Sequence, residues 1–287
     1  MSKILQIPLN KIREKGNYKE LLEALERGFK RFNIDFYLVG ATARDVWMRG
    51  VHETSPRRAT SDIDFAIMIT DSAQYTELKD YLIKVEGFVP YHDNSFVLIW
   101  NDEDKTQVDL IPFGELENEG IVTVKGTGMT TLNVEGFKEV FDSASEEIET
   151  EGQQFKVCTL AGIVVLKLIA WDDRPEWRRE DIGDIAEIIK NYFHFNYEVI
   201  LEHHNDLFTD DIEIDEIAGQ FLGREIGNII SANPKLTTRV KGILEKALLE
   251  DESNALVDLL ASESDKTIDY SKGIISHILA GINEMAK

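Results

Sequence analysis

The chain has 287 residues, with 53 Asp or Glu against 31 Lys or Arg, and its formal net charge is −22. That length can bury a large core and is expected to form two domains. Its single cysteine, Cys158, excludes an internal disulfide. No segment approaches the roughly 20 apolar residues that cross a bilayer, and the N-terminus lacks a signal-peptide core. We therefore expect a soluble, cytoplasmic protein without a membrane partner.

The acidity argues against broad nucleic-acid binding, because such binding depends on Lys and Arg that neutralise phosphates. A local exception is the group Arg44, Arg49, Arg57 and Arg58, which fall close together in the sequence. Four arginines could hold a triphosphate but are too few to predict an RNA groove. The charge therefore lowers the expectation of an RNA acceptor without removing it.

Apolar spacing and turn residues predict a mixed α/β region in the first half of the chain. In chain order we expect a helix at 18–32, a strand at 35–39, a short helix at 43–48, a polar loop at 50–61, a strand through 65–69, a helix at 75–85, an antiparallel strand pair at 96–100 and 106–111, and an edge strand at 121–124.

From residue 160 the apolar spacing becomes almost entirely helical. Helices are expected at 160–171, 179–192, 212–230, 236–249, 254–262 and 269–282. We therefore predict an α+β protein with a first domain at 1–150 and an α-helical domain at 151–287.

The strongest chemical signal is a pair of aspartates at the start of a buried strand. Asp62 and Asp64 project from the same face, since strand side chains alternate. Two adjacent carboxylates repel unless a cation lies between them, and carboxylate oxygens suit Mg²⁺. Asp109 lies inside a later apolar segment and would complete a three-carboxylate site if its strand lies beside the first. This layout is that of a two-metal phosphoryl- or nucleotidyl-transfer centre.

Two further positions fit such a centre. Gly40 ends a predicted strand and opens a helix, so the backbone N–H groups that follow could face phosphates. Arg58 precedes Asp62 by four residues, where a guanidinium could bind a phosphate in bidentate fashion. Alternatively, Gly40 only ends the strand, and Arg58 is an ordinary solvated arginine of the loop.

A charged residue also interrupts the apolar helix at 160–171. Lys167 either packs its stem and extends its ammonium to solvent, or points into a cleft and binds the triphosphate. Asp184, on the next helix, could pair with Lys167 or contact the nucleotide. Asp181, three residues earlier, shares the face of Asp184.

The motifs together resemble the nucleotidyltransferase superfamily with the DNA polymerase beta fold. A glycine opening a helix, an Asp-x-Asp strand and a third aspartate on a later strand carry this resemblance, and Arg44-Asp45 is similar to an element of CCA-adding enzymes and poly(A) polymerases. Residues 36–189 are most similar to the AbiEii/AbiGii-type predicted nucleotidyltransferases, known as toxins of toxin–antitoxin pairs. The residues that carry this closer similarity are Arg58, Thr60, Asp62, Asp64, Lys167, Ala170, Arg174, Asp181 and Asp184.

The resemblance implies a polymerase-beta-like catalytic domain with a mixed sheet, followed by a C-terminal helical bundle. It implies transfer of NMP from an NTP such as ATP to an acceptor hydroxyl on RNA or tRNA, a protein or a small cationic molecule, with an antitoxin as a further partner. Two Mg²⁺ ions would lie on Asp62, Asp64 and Asp109, the last as third ligand or general base. The implied nucleotide-binding residues are Gly40, Ala41, Thr42, Arg44, Arg58, Thr60, Lys167 and Asp184.

One position departs from the superfamily pattern. Ala41 follows Gly40 where the superfamily usually has Ser or Gly. Thr42 could supply the missing hydroxyl, or backbone N–H groups could suffice. The alternative function is a catalytically degenerate member that binds a nucleotide or a partner protein.

Overall fold

The structure is a computed structural model that describes residues 4–8, 11, 18–55, 60, 62–209, 212–249 and 255–285. The chain divides into two compact units, Met1–Thr159 and Leu160–Lys287. None of the helices in the described ranges combines the length and apolar character that a membrane crossing requires.

The first unit alternates strands and helices. Its elements are β1 (Leu5–Gln6), α1 (Tyr18–Arg31), β2 (Phe36–Val39), α2 (Gly40–Asp45), a π-helical turn (Val46–Val51), β3 (Asp62–Met68), α3 (Ser72–Lys84), β4 (Val89–Pro90), β5 (Val97–Ile99), β6 (Gln107–Phe113), β7 (Ile121–Thr123), β8 (Thr131–Asn133), α4 (Phe137–Ser143), β9 (Ser145–Thr150) and β10 (Gln153–Cys158).

Among the described residues, eight strands form one mixed sheet in the order β1-β9-β10-β2-β3-β6-β5-β4. The β3–β6, β10–β2 and β1–β9 pairs are parallel, whereas β2–β3 and β5–β6 are antiparallel. Strand β3 lies centrally, and its residues Ile63, Phe65 and Ile67 are buried. The predicted α+β class with a mixed sheet is confirmed, and so is the antiparallel pairing of the segments at 96–100 and 106–111.

Three local features differ from the sequence-based expectations. The predicted edge strand at 121–124 instead pairs with β8 in a separate two-stranded sheet. The helix predicted at 43–48 begins at Gly40 and continues as a π-helical turn to Val51. Helix α4 was not predicted, because its seven residues are too short to show a helical period.

The segment around residue 150 forms a hairpin. Strands β9 and β10 pair antiparallel around Glu151 and Gly152, both of which have positive φ angles. Such a two-residue turn matches the twist of the strands it joins. Strand β10 then pairs with β2, so the hairpin belongs to the first unit, and the division between units falls after Thr159 rather than at the predicted residue 150.

The second unit is helical, as predicted. Its helices are α5 (Leu160–Asp173), α6 (Arg179–Phe195), α7 (Tyr197–His203), α8 (Ile214–Ile230), α9 (Pro234–Leu248), α10 (Ala255–Ser264) and α11 (Ile268–Met285). Short 3₁₀ turns lie at Pro175–Trp177 and Asn205–Leu207. Buried apolar side chains such as Leu168, Ile182, Leu222 and Ile278 form its core.

Candidate active site

Three carboxylates share one face of the central sheet. Strands β3 and β6 are parallel, and their register places Asp64 beside Asp109 and Asp62 beside Gln107. Their neighbours along the strands, such as Ile63 and Val108, are buried, whereas the three aspartates are partly exposed. Since adjacent strands lie about 4.8 Å apart, Asp64 and Asp109 have closely spaced backbones. The structure therefore brings together the three residues that the sequence singled out.

Gly40 lies directly against the Asp64 carboxylate. A Cβ atom added at Gly40 would be 2.1 Å from Asp64 Oδ2, and Gly40 has a φ angle of +66°. Both the contact and the backbone conformation favour glycine. The start of α2 is thus held against one of the three carboxylates, because β2 pairs with β3 and Val39 lies opposite Asp64.

Two threonines support Asp62. The Thr42 hydroxyl donates a hydrogen bond of 3.0 Å to the main-chain carbonyl of Asp62, which fixes the first turn of α2 to β3. The Thr60 hydroxyl donates to the Asp62 carboxylate. Thr42 therefore uses its proton within the protein, and donation to a phosphate would fall to backbone N–H groups of the helix start. Val39 precedes that start and supplies no side-chain cap.

Gln107 is a site residue that the sequence reasoning missed. Its amide Nε2 donates to Asp109 Oδ1 at 2.9 Å, and its register places it beside Asp62. The signal was present in the sequence, because Gln107 precedes Asp109 by two residues and therefore shares its face. Behind this strand, burial first and the charge of Asp109 second raise the pKa of Tyr75.

The donor chemistry of this face fits Mg²⁺, which prefers carboxylate oxygens. Within the described residues, however, no three His, Cys, Asp or Glu side chains converge as a ready-made metal site. Asp62 is turned to Thr60 and Asp109 to Gln107. An ionised carboxylate has two oxygens with about four lone-pair sites, so these hydrogen bonds do not by themselves prevent Asp62 and Asp109 from coordinating an ion.

The structure buries Arg44 completely. Its guanidinium donates to Asp45 Oδ1 from Nε at 3.0 Å and from Nη2 at 2.6 Å. In this arrangement Arg44 pairs with the neighbouring residue of α2, and its contact with a nucleotide stays a prediction. Ala41 is buried as well. Arg58, and with it Arg57, lies outside the described residues.

Lys167 forms a buried ionic cluster within the helical unit. Its ammonium lies 2.5 Å from Asp181 Oδ1 and 2.9 Å from Asp184 Oδ2. Burial alone would lower the pKa of Lys167, but the two aspartates outweigh burial and raise it. Lys167 and Asp184 therefore form the ion pair that was one of the two sequence-based alternatives for Asp184. Their contact with a nucleotide stays a prediction.

Comparison with known proteins gives distant structural similarities. No protein-family model matches the chain, and no curated protein matches it in sequence. The crystal structure of an antigenic nucleotidyltransferase-like protein from Paracoccidioides brasiliensis is similar at 15% identity and a TM-score of 0.40, covering 82% of this chain and 94% of that chain. The solution structure of the antibiotic-resistance factor ANT(2'')-Ia is similar at 13% identity and a TM-score of 0.36, covering 67% of this chain and 100% of that one. Since both TM-scores are below 0.5, we base no functional assignment on these similarities.

Proposed function

We propose that the protein is a Mg²⁺-dependent nucleotidyltransferase that moves NMP from an NTP, such as ATP, to an acceptor hydroxyl. The observation that carries this proposal is the set of Asp62, Asp64 and Asp109 on one sheet face, with Gly40 packed against Asp64. In the reaction the acceptor oxygen bonds to the α-phosphorus, the bond to the β,γ-diphosphate breaks, and pyrophosphate leaves. The acceptor proton goes to Asp109 or to solvent.

Each residue of this face has a role that follows from its position. Asp62, Asp64 and Asp109 would hold Mg²⁺, whose charge offsets that of the triphosphate and of the leaving pyrophosphate. Because Gly40 has no side chain, the backbone N–H groups at the start of α2 would be able to donate to the β- and γ-phosphates. Thr42 fixes that helix start to β3.

Several outer residues would assist this reaction. Thr60 and Gln107 orient the Asp62 and Asp109 carboxylates, respectively. Arg58 would contribute a phosphate contact. Lys167 and Asp184 are included as nucleotide-binding residues because the sequence resemblance implies that role.

The proposal extends to the class of acceptor and to the biological role of the protein. The net charge of −22 supports a protein or a small cationic acceptor over RNA, because an acidic surface repels phosphates. The motif residues shared with AbiEii/AbiGii-type proteins support a toxin that is neutralised by an antitoxin protein.

The test measures label transfer from each α-labelled NTP with Mg²⁺ to cellular RNA, lysate protein and small-molecule extract in separate reactions. Asp64→Asn and Asp109→Asn keep side-chain shape but remove charge, and Asp104→Asn, at an exposed position before β6, is the matched control. Metal-based charge stabilisation is worth several kcal/mol, so we expect the two site variants to lose about 100-fold or more in rate. Equal labelling by wild type and both site variants would refute the assignment.

A second candidate is nucleotide binding without transfer. Among the described residues no three carboxylates converge as a ready-made metal site, and this finding, together with Ala41 after the glycine, favours it. Calorimetry with ATP and Mg²⁺ separates the two functions. Binding that is lost in Asp64→Asn, without label transfer to any acceptor fraction, would support the second candidate.

A further inference from the structure

The helical unit contains a cavity that the proposed reaction does not use. It has a volume of about 550 Å³ and lies among α6, α10, α11 and the start of α8. Its floor is apolar and buried, and consists of Ala186, Ile189, Leu260 and Ile274. This volume falls in the range of small-molecule sites, which combine an apolar lining with a few polar groups.

A tyrosine and an aspartate form a fixed polar pair at the edge of this floor. The Tyr270 hydroxyl donates a hydrogen bond of 2.7 Å to Asp215 Oδ2. Burial first, and then the bond to Asp215, raise the pKa of Tyr270, so the hydroxyl remains a donor at neutral pH. The bond holds a partly exposed carboxylate beside the apolar floor.

A second cavity of about 330 Å³ shares Asp215, Lys266, Tyr270 and Ile274 with the first. The two cavities adjoin at these four residues, and we call them together the α6–α11 cleft. Its described lining carries two ammonium groups, on Lys190 and Lys266, against five carboxylates, which are those of Glu213, Asp215, Glu216, Asp265 and Asp269. Acidic groups outnumber basic ones, so the cleft favours a cationic ligand over an anionic one.

The cleft also shows how a cation can be held there. The Lys266 ammonium lies 5.0 Å from the centroid of the Tyr270 ring, within the range of a cation–π contact. The Tyr270 ring thus already stabilises an ammonium group, and its hydroxyl positions the Asp215 carboxylate. A ligand ammonium that takes the place of the Lys266 ammonium would meet both features.

We propose that the α6–α11 cleft binds an organic amine with an apolar body. The ammonium pairs with Asp215 beside the Tyr270 ring, and the apolar body lies on the floor formed by Ile189, Leu260 and Ile274. This site goes beyond the proposed nucleotidyl transfer and does not depend on it, because every residue of the cleft belongs to the helical unit.

The test is calorimetry of the full chain with n-octylamine, n-hexylamine, methylamine and octanoate as probes. We expect n-octylamine to bind up to about fifteenfold more tightly than n-hexylamine, since each buried methylene contributes about fourfold. Octanoate has the same chain with the opposite charge, and methylamine has the charge without the chain. We expect both to bind at least about tenfold more weakly than n-octylamine.

Variants then locate the binding site. Asp215→Asn is expected to weaken n-octylamine binding about tenfold, and Tyr270→Phe to weaken it less, because the carboxylate remains. Glu245→Gln removes an exposed carboxylate of α9 outside the cleft and should leave binding unchanged. Circular dichroism confirms that each variant is folded.

Four outcomes would overturn the proposal. The first is that octanoate binds as tightly as n-octylamine, and the second is that methylamine binds as tightly as n-octylamine. The third is an n-octylamine affinity that is unchanged in both Asp215→Asn and Tyr270→Phe. The fourth is that n-octylamine does not bind at millimolar concentration.

Discussion

The contact between Gly40 and Asp64 makes the substitution Gly40→Ala a sharp test of the site geometry. At the Gly40 φ angle of +66°, any side chain carries a conformational penalty of about 1–2 kcal/mol. In addition, the new Cβ would lie 2.1 Å from Asp64 Oδ2 and 2.9 Å from its Cγ, so the carboxylate must move. We estimate this steric part at about 1 kcal/mol or more, within the range measured for contacting residues.

The assay separates the two contributions by a double-mutant cycle in urea unfolding. Asp64→Ala removes the carboxylate and leaves Asp64 Cβ as the nearest atom, 3.2 Å from the added Cβ. The conformational penalty should persist in this background, whereas most of the steric part should vanish. Gly40→Ala should therefore destabilise the wild type more than it destabilises Asp64→Ala, by about 1 kcal/mol.

Activity provides the second readout. Because Gly40→Ala displaces the Asp64 carboxylate, we expect it to reduce nucleotidyl transfer about as much as Asp64→Asn does. If Gly40→Ala lowered the free energy of unfolding equally in both backgrounds, to within about 0.3 kcal/mol, the carboxylate would not lie against the glycine, and the derived geometry would be wrong.

Two further predictions concern charged groups. Lys167→Met leaves Asp181 and Asp184 buried without their cation, so it should lower the free energy of unfolding by about 3–5 kcal/mol in urea titrations. The control Lys235→Met, at an exposed site of α9, should change that free energy by less than about 0.5 kcal/mol. A similar small loss in both variants would contradict the ionic cluster. Burial first, and then neighbouring glutamates, raise the pKa of Glu117 above its ordinary value of 4.5, so the folded protein binds this proton more tightly and loses stability as pH rises above 4.5. Glu117→Gln should therefore raise the melting temperature at pH 7, and this gain should disappear below pH 4.5. An equal gain in melting temperature at both pH values would show that the raised pKa of Glu117 is not its cause.

The sequence predicted local parts of the candidate site well. Alternation along a strand places Asp62 and Asp64 on one face, and apolar runs identify β3 and β6. The alignment of Asp64 with Asp109 depends on a parallel pairing between distant segments, which no local pattern determines. The structure was therefore needed to show that the three carboxylates share one face.

The features that sequence reasoning missed have local explanations. The β9–β10 hairpin lies across the predicted domain boundary at residue 150, although Glu151-Gly152 suits a tight turn. The complete burial of Arg44 also has no local signal in the sequence, since arginines are rarely buried. Its guanidinium pairs with the carboxylate of Asp45, which is buried as well.

The parallel register of β3 and β6 also has a kinetic consequence. The β5–β6 pair closes over a short connection, whereas β3 and β6 meet after the chain has returned across residues 69–106. Pairings between distant segments form slowly because loop-closure entropy must be overcome first. The same step brings the charges of Asp64 and Asp109 together. Screening ions should therefore speed this step of folding, and the candidate site should assemble after the β5–β6 pair.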